Sequence, residues 1–190
     1  MITVSSLNEI TRIRHAFFTR DGGVSEGLYA GMNVGLGSKD DPARVAENRA
    51  RAMALLELPP SALVTLHQEH TATVIEVEAP WPNGERPVGD AMVTATPGLA
   101  LGILTADCVP VLLADARKAV IGAAHAGWRG AIGGVLDAVV AAMGKLGARP
   151  AEIVAAVGPA IAQRSYEVGP DFPAPFLAQD AAVCHRRHRA

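Results

Sequence analysis

Between Asp41 and Leu58 the sequence DPARVAENRARAMALLEL repeats apolar residues at helical spacing. Asp41 can cap the first free amides, Pro42 fits the first turn and Pro59-Pro60 cannot continue the element, so a helix is predicted over this span. Two short alternating segments follow, Leu63 to Leu66 and Ala72 to Val77, with the polar run His67-Gln68-Glu69-His70 between them at a strand edge. Ala91 to Thr96 and Leu99 to Leu104 read as successive strands around Pro97-Gly98. Val109 to Ala114 and Ala119 to Ala124 read as another pair around Arg117-Lys118. These runs are apolar throughout, which predicts burial on both faces. From Ala126 the chain reads AGWRGAIGGVLDAVVAAMGKLGA, and Ile132, Leu136, Val139, Val140 and Met143 fall on one predicted helical face that ends near Gly147. Ile153 to Val157 is a further predicted strand, before the polar loop GPAIAQRSYEVGP.

Residues 15–38 follow neither period. Six glycines in HAFFTRDGGVSEGLYAGMNVGLGS suit turns and close backbone approach, and predict a loop at a site. With 190 residues, 49% of them hydrophobic and 19% charged, the chain can bury a sizeable core at single-domain length. A single domain over 1–169 is expected, with 170–190 an irregular or disordered tail. Seventeen basic against nineteen acidic residues give a net charge of −2, which offers no strong attraction for nucleic acid or anionic lipid. The N-terminus lacks a charged stretch followed by a long apolar run, so a cytoplasmic location is expected. The longest apolar region, Pro97 to Ala114, is interrupted by Asp107 and Pro110 and is expected not to span a membrane.

Two cysteines make no disulfide framework, which directs attention to Cys108 as a ligand or nucleophile. It closes the run TADC at 105–108, where one apolar strand ends and another begins, and its thiolate is the form that binds metal or attacks. The run AAHAGWRG at 123–130 sets His125 at a strand end, where the following amides and the Arg129 guanidinium can meet an anion. Either histidine of His67-Gln68-Glu69-His70 can approach the same metal. Such long spacings exclude a structural zinc finger, whereas three protein ligands with a fourth position open describe a catalytic zinc, which lowers the pKa of bound water towards about 7. Taken singly, each residue also fits an ordinary structural role: Cys108 as packing, His125 as a turn partner, Asp90 and Asp107 as turn residues. Cys184, His185 and His188 have ligand chemistry but follow no periodic element.

In order along the chain, TRDGGVSEGLYAGMNVG, DPARVAENR, HQEH, GDAMVT, TADCVPVLL, AAHAGWRG and GPAIAQRSYEVG resemble the YfiH-like family, also called the laccase-domain or polyphenol-oxidase family. The resemblance runs from about His15 to Gly169, and TADC with HAGWRG is its most specific part. It implies an α/β fold in which layered β-sheets are flanked by α-helices. It also implies zinc held by His70, Cys108 and His125. The family's first histidine lies in a Gln-x-His-Gly run, which selects His70 over His67, with Thr71 in place of the glycine. Arg20 and Asn33 fall on positions the family places around the same pocket.

The activities implied are phosphorolysis of adenosine, inosine and methylthioadenosine, and deamination of adenosine, so a purine nucleoside and phosphate are the expected partners. Alternatives carried by the same resemblance are a copper polyphenol oxidoreductase and a hydrolase editing peptidoglycan precursors through Cys108. Copper is the weaker expectation, because several coppers need many histidines and this chain has six, scattered. Such domains continue with a further helix and strands that nothing in 170–190 matches. A shortened chain, and with it a catalytically silent metal-binding protein, is therefore a further expectation.

Overall fold

The computed structural model describes residues 1–179. In chain order its helices and strands are α1 (Ser5–Asn8), α2 (Pro42–Leu55), β1 (Leu63–Thr65), β2 (Val74–Glu76), β3 (Ala91–Thr94), β4 (Ala100–Gly102), β5 (Val109–Asp115), β6 (Val120–Ala126), α3 (Trp128–Ile132), α4 (Val135–Lys145), β7 (Ile153–Val157) and α5 (Ala174–Gln179). Five strands form one sheet in the order β2-β3-β6-β5-β7, in which β2 and β3 run parallel and every other pair is antiparallel. A second, two-stranded sheet pairs β1 with β4 in parallel.

The large sheet is covered on both faces, as the unbroken apolar runs predict. On one face Val135, Val139 and Met143 of α4 pack on Ala91, Val93, Val111, Leu113, Val120 and Ala124. Side chains of a strand alternate between faces, so Met92 points the other way and packs with Val64, Leu66 and Val77 beside the small sheet. Leu7, Phe17, Ala114 and Ala156 fill the rest of that second face. The result is an α/β fold of layered sheets flanked by helices. Among the described residues no helix is long and apolar enough to cross a membrane.

The first helix follows its predicted logic. Asp41 caps it through Oδ1, which accepts the Ala43 amide at 2.9 Å, with Pro42 in the first turn. It ends at Leu55, short of the predicted Leu58. Its least expected residue is Asn48, a polar side chain that is fully buried. Asn48 Oδ1 accepts the Val24 amide at 2.8 Å, and its Nδ2 donates to Ser25 Oγ and to Asn33 O, both at 2.9 Å. Asn48 thus helps to anchor the glycine-rich segment to α2, in place of the missing sheet or helix partners, together with Arg49, which donates to Val34 O, and Arg51, which donates to Gly22 O.

Three features differ from the pattern read along the chain. The segments around Pro97-Gly98 do not pair with each other, because β3 lies in the large sheet and β4 crosses to pair with β1. The predicted helix after His125 breaks at Gly133-Gly134, where Gly134 takes φ +84°, a left-handed conformation that glycine adopts without strain. The break resets the helical register, so Val135, Val139 and Met143 form the buried face while Leu136 is 39% exposed. Finally, 170–179 is not irregular throughout: α5 forms there, and Phe172 and Phe176 set their rings 5.2 and 5.7 Å from that of Trp128. Cys184, His185 and His188 lie outside the described residues.

Asp115 closes the β5–β6 hairpin from a fully buried position. Its Oδ2 accepts the Arg149 amide at 2.9 Å, and its Oδ1 those of Arg117 and Lys118 at 2.9 and 3.1 Å. The Arg149 hydrogen bond, with those of Lys118 and Arg117, outweighs burial and holds the carboxyl below its ordinary value of 3.8. A depressed folded pKa contributes stability that is complete above the unfolded value and is lost as pH falls through the folded one. Asp115→Ala leaves three partly buried backbone amides without their acceptor and is expected to cost roughly 1–3 kcal/mol in urea denaturation at pH 7. Below pH 4 the difference between variant and wild type should shrink; a difference that persists unchanged to the lowest pH at which both fold contradicts this account.

Candidate metal centre

Strand register brings two of the candidate ligands to one end of the large sheet. Val109 pairs with Ala126 and Pro110 with His125, so Cys108, just before β5, and His125, near the end of β6, are neighbours. The third comes from the connection between β1 and β2. His70 is delivered there through Asp90, the residue before β3, whose carbonyl accepts the His125 amide at 2.7 Å.

Asp90 is fully buried. Its Oδ1 lies 2.8 Å from His125 Nδ1 and accepts the His70 amide at 2.9 Å. Its Oδ2 accepts the amides of Glu69 at 3.1 Å and Thr71 at 2.6 Å, and the Thr71 hydroxyl at 2.9 Å. Burial alone pushes this carboxyl up, but the hydrogen bonds from His125, Thr71 and His70 together hold it below its ordinary value. An ionised carboxylate can only accept, so the proton of His125 resides on Nδ1 and its Nε2 presents a lone pair. The same contacts keep His70 at φ +63°, a left-handed backbone that a non-glycine residue adopts only where its surroundings impose it. Thr71, which stands where the family pattern has glycine, supplies two of the five donors.

The resulting cluster is tight. Cys108 Sγ lies 3.7 Å from His70 Nε2, the two imidazole rings are 4.8 Å apart at 65°, and the ligand atoms of His70, Cys108 and His125 all lie within 4.8 Å of one another. Around a tetrahedral ion with metal–sulfur and metal–nitrogen bonds of about 2.3 and 2.05 Å, sulfur and nitrogen stand about 3.5 Å apart, so the donor set fits one metal. His125 is buried, Cys108 partly buried and His70 exposed, which leaves one side of the cluster facing solvent. Gly127 is the floor beneath it: a Cβ there would fall 2.5 Å from His70 Cδ2 and 3.1 Å from Cys108 Sγ. Burial first, then Asp107 and Asp90, push the Cys108 thiol up from its ordinary value. A cation at the cluster would reverse that tendency, since a coordinated thiol is deprotonated.

Gln68 joins the loops that carry His70 and Cys108. Its Nε2 donates to Leu104 O at 2.7 Å and its Oε1 accepts the Leu104 amide at 2.9 Å. Neither Asp90 nor Gln68 stands out as a site residue in the sequence; the available signal was a carboxylate and an amide adjoining apolar strands. His67 points away from the cluster, exposed and 3.2 Å from Glu69 Oε1. Arg129 is exposed, with its guanidinium carbon 4.7 Å from the Trp128 ring centroid and no acidic partner within 4.0 Å among the described residues. Arg20 donates from Nε and Nη2 to Ala30 O at 3.0 and 2.6 Å. Asn33 Nδ2 donates to Ser38 Oγ at 3.0 Å and to Asp40 Oδ2 at 2.9 Å. These side-chain hydrogen bonds of Arg20 and Asn33 stay within the glycine-rich loop and the adjoining Asp40, outside the cluster.

A layered α/β domain with a solvent-facing His–Cys–His cluster at a sheet end defines the class of a candidate metalloprotein. Residues 14–190 match the family model described as multi-copper polyphenol oxidoreductase laccase. The chain is 52% identical over 168 residues to a purine nucleoside phosphorylase of Deinococcus radiodurans, covering 87% of this chain and 64% of that protein. It is 49% identical over 169 residues to a purine nucleoside phosphorylase of Streptomyces coelicolor, covering 88% and 69%. A solved Neisseria meningitidis protein of family DUF152 superposes with a TM-score of 0.76 at 38% identity, over 87% of this chain and 65% of that one. YlmD from Geobacillus stearothermophilus gives 0.74 at 33%, over 80% and 59%. The chain belongs to the YfiH-like (DUF152, laccase-domain) family, and it spans just under two thirds of the length of the Deinococcus relative.

Removing the carboxylate that orients both histidines should loosen the cluster without touching a ligand. Asp90→Asn is expected to weaken zinc binding by roughly 10- to 100-fold, measured by competition with a chromophoric chelator. Unchanged affinity in a folded variant would remove Asp90 from the account.

Proposed function

We propose that this chain is a zinc-dependent purine nucleoside enzyme, cleaving adenosine, inosine and methylthioadenosine with phosphate and deaminating adenosine. The observation that carries this reading is the His70–Cys108–His125 cluster, open to solvent on one side. Two relatives at about half identity, both called purine nucleoside phosphorylases, supply the substrate class. One thiolate and two imidazoles suit zinc, and one cluster of three donors among the described residues falls short of the several copper sites that the laccase name implies. Bound zinc supplies a Lewis acid and a means of activating water at neutral pH.

The chain's own groups do the rest. Asp90 keeps the proton on His125 Nδ1, so that Nε2 faces the metal position. Arg129, exposed and without an acidic partner among the described residues, offers a planar pair of donors to phosphate. In phosphorolysis a phosphate oxygen bonds to the ribose anomeric carbon as the carbon–nitrogen bond to the purine breaks and the base departs with its electron pair. In deamination water adds at C6 of adenosine and ammonia leaves. The loop carrying Arg20 and Asn33, anchored to α2 by Asn48, is proposed as a wall of the substrate pocket.

Zinc-replete protein given adenosine and phosphate is expected to release adenine and inosine, resolved by chromatography. Cys108→Ala should lower both rates at least about a hundredfold, equivalent to about 2.7 kcal/mol of barrier. Formation of neither product contradicts the reading. A thiol mechanism without metal makes the opposite forecast for alkylation: zinc should protect Cys108 from iodoacetamide, and fast stoichiometric labelling of the zinc-replete protein would favour the thiol.

A further inference from the structure

Trp128 opens α3 just after β6, the strand that carries His125, and its indole is partly buried. The guanidinium carbon of Arg129 lies over that ring, 4.7 Å from its centroid. Two phenyl rings from the far end of the described chain also meet the indole: Phe172 at 5.2 Å and 65°, and Phe176 at 5.7 Å and 30°. They stand 5.1 Å from each other, and Tyr166 meets Phe172 edge-on at 5.7 Å and 87°. Tilted and edge-to-face pairs at such separations are favoured by the charge distribution of aromatic rings.

The backbone hydrogen bonds around α5 are local. The amides of Phe172, Ala174, Phe176 and Leu177 donate to the carbonyls of Gly169, Asp171 and Pro173. The ring contacts therefore fasten this segment to the start of α3, and in return they limit how the indole can turn. The consequence falls on Arg129, which is exposed and has no acidic partner within 4.0 Å among the described residues. A guanidinium resting by its face on an indole keeps its N–H edge free, whereas an ion pair with a carboxylate would occupy that edge. An arginine already held in this way also loses less rotamer freedom when an oxyanion binds.

We infer that Phe172 and Phe176 act through Trp128 as positioning residues for Arg129: the 170–179 segment holds the indole, and the indole holds the guanidinium with its donor edge open to phosphate. The inference rests on the proposed role of Arg129 and adds to it a distant stretch of chain. None of the three aromatic residues has to touch substrate.

The test follows the side-chain Nε–H signal of Arg129 by NMR in the zinc-replete, nitrogen-15-labelled full chain, the signal being identified by its absence from Arg129→Lys. The ring current of Trp128 is expected to displace it from the position of an arginine in the unfolded chain. Phe176→Leu keeps an apolar side chain without a ring; it should move the signal towards the unfolded position and weaken the response to inorganic phosphate roughly three- to tenfold. Phe176→Tyr, which keeps the ring, should behave as wild type, and Phe172→Leu serves as the second variant if Phe176→Leu does not fold. In turnover with adenosine the phosphate KM should rise by the same factor in the leucine variants, with kcat changed less than about twofold and zinc content unchanged. The inference is overturned by an Arg129 signal that ignores phosphate in the wild type, by a signal or a phosphate KM that the leucine variants leave unmoved, or by Phe176→Tyr as impaired as Phe176→Leu. Phosphate binding that follows the expected pattern without any turnover upholds the inference and defeats the nucleoside reading instead.

Discussion

Five donors converge on the two carboxylate oxygens of Asp90, which ties the residue before β3 to β6 and to the 69–71 segment. It precedes β3, accepts a backbone hydrogen bond from the His125 amide on β6, fixes the proton of that imidazole and folds the 69–71 backbone around itself. A buried carboxylate with fewer partners would pick up a proton, since burial pushes it in that direction. With all five it stays ionised, and the energy of those contacts holds His70 in a left-handed backbone conformation. The arrangement couples a sheet end to a loop that has no regular structure of its own. The candidate metal centre depends on that coupling, because its three ligands come from three separate segments.

Much of this was legible in the sequence because it follows from local rules. The α2 cap at Asp41-Pro42, the β5–β6 pair around Arg117-Lys118 and the double-sided burial of the central strands are all written in residue type and spacing. The structure also brings His70, Cys108 and His125 together, and of the two histidines in the 67–70 run only His70 joins them. What local pattern could not convey was non-local. The pairing of β4 with β1 depends on long-range packing, and the register of α4 depends on one left-handed glycine. Asp90, Gln68 and Asn48 resemble ordinary turn or surface residues in sequence, and only burial reveals that each satisfies several distant backbone groups.

The name attached to the family and the donors in this chain describe different chemistry. A laccase assembles several coppers, whereas the described residues present one cluster of a cysteine and two histidines. That set is a single cluster with one side open, and two of the chain's relatives are called purine nucleoside phosphorylases.

The central claim is that one metal ion bridges the three segments. Crystals grown from zinc-replete protein, with diffraction recorded on either side of the zinc absorption edge, test it most directly. One strong anomalous peak is expected within about 2.0–2.4 Å of His70 Nε2, His125 Nε2 and Cys108 Sγ, with His125 Nδ1 still on Asp90. A zinc peak elsewhere in the chain, or none where these three side chains are well ordered, would contradict it.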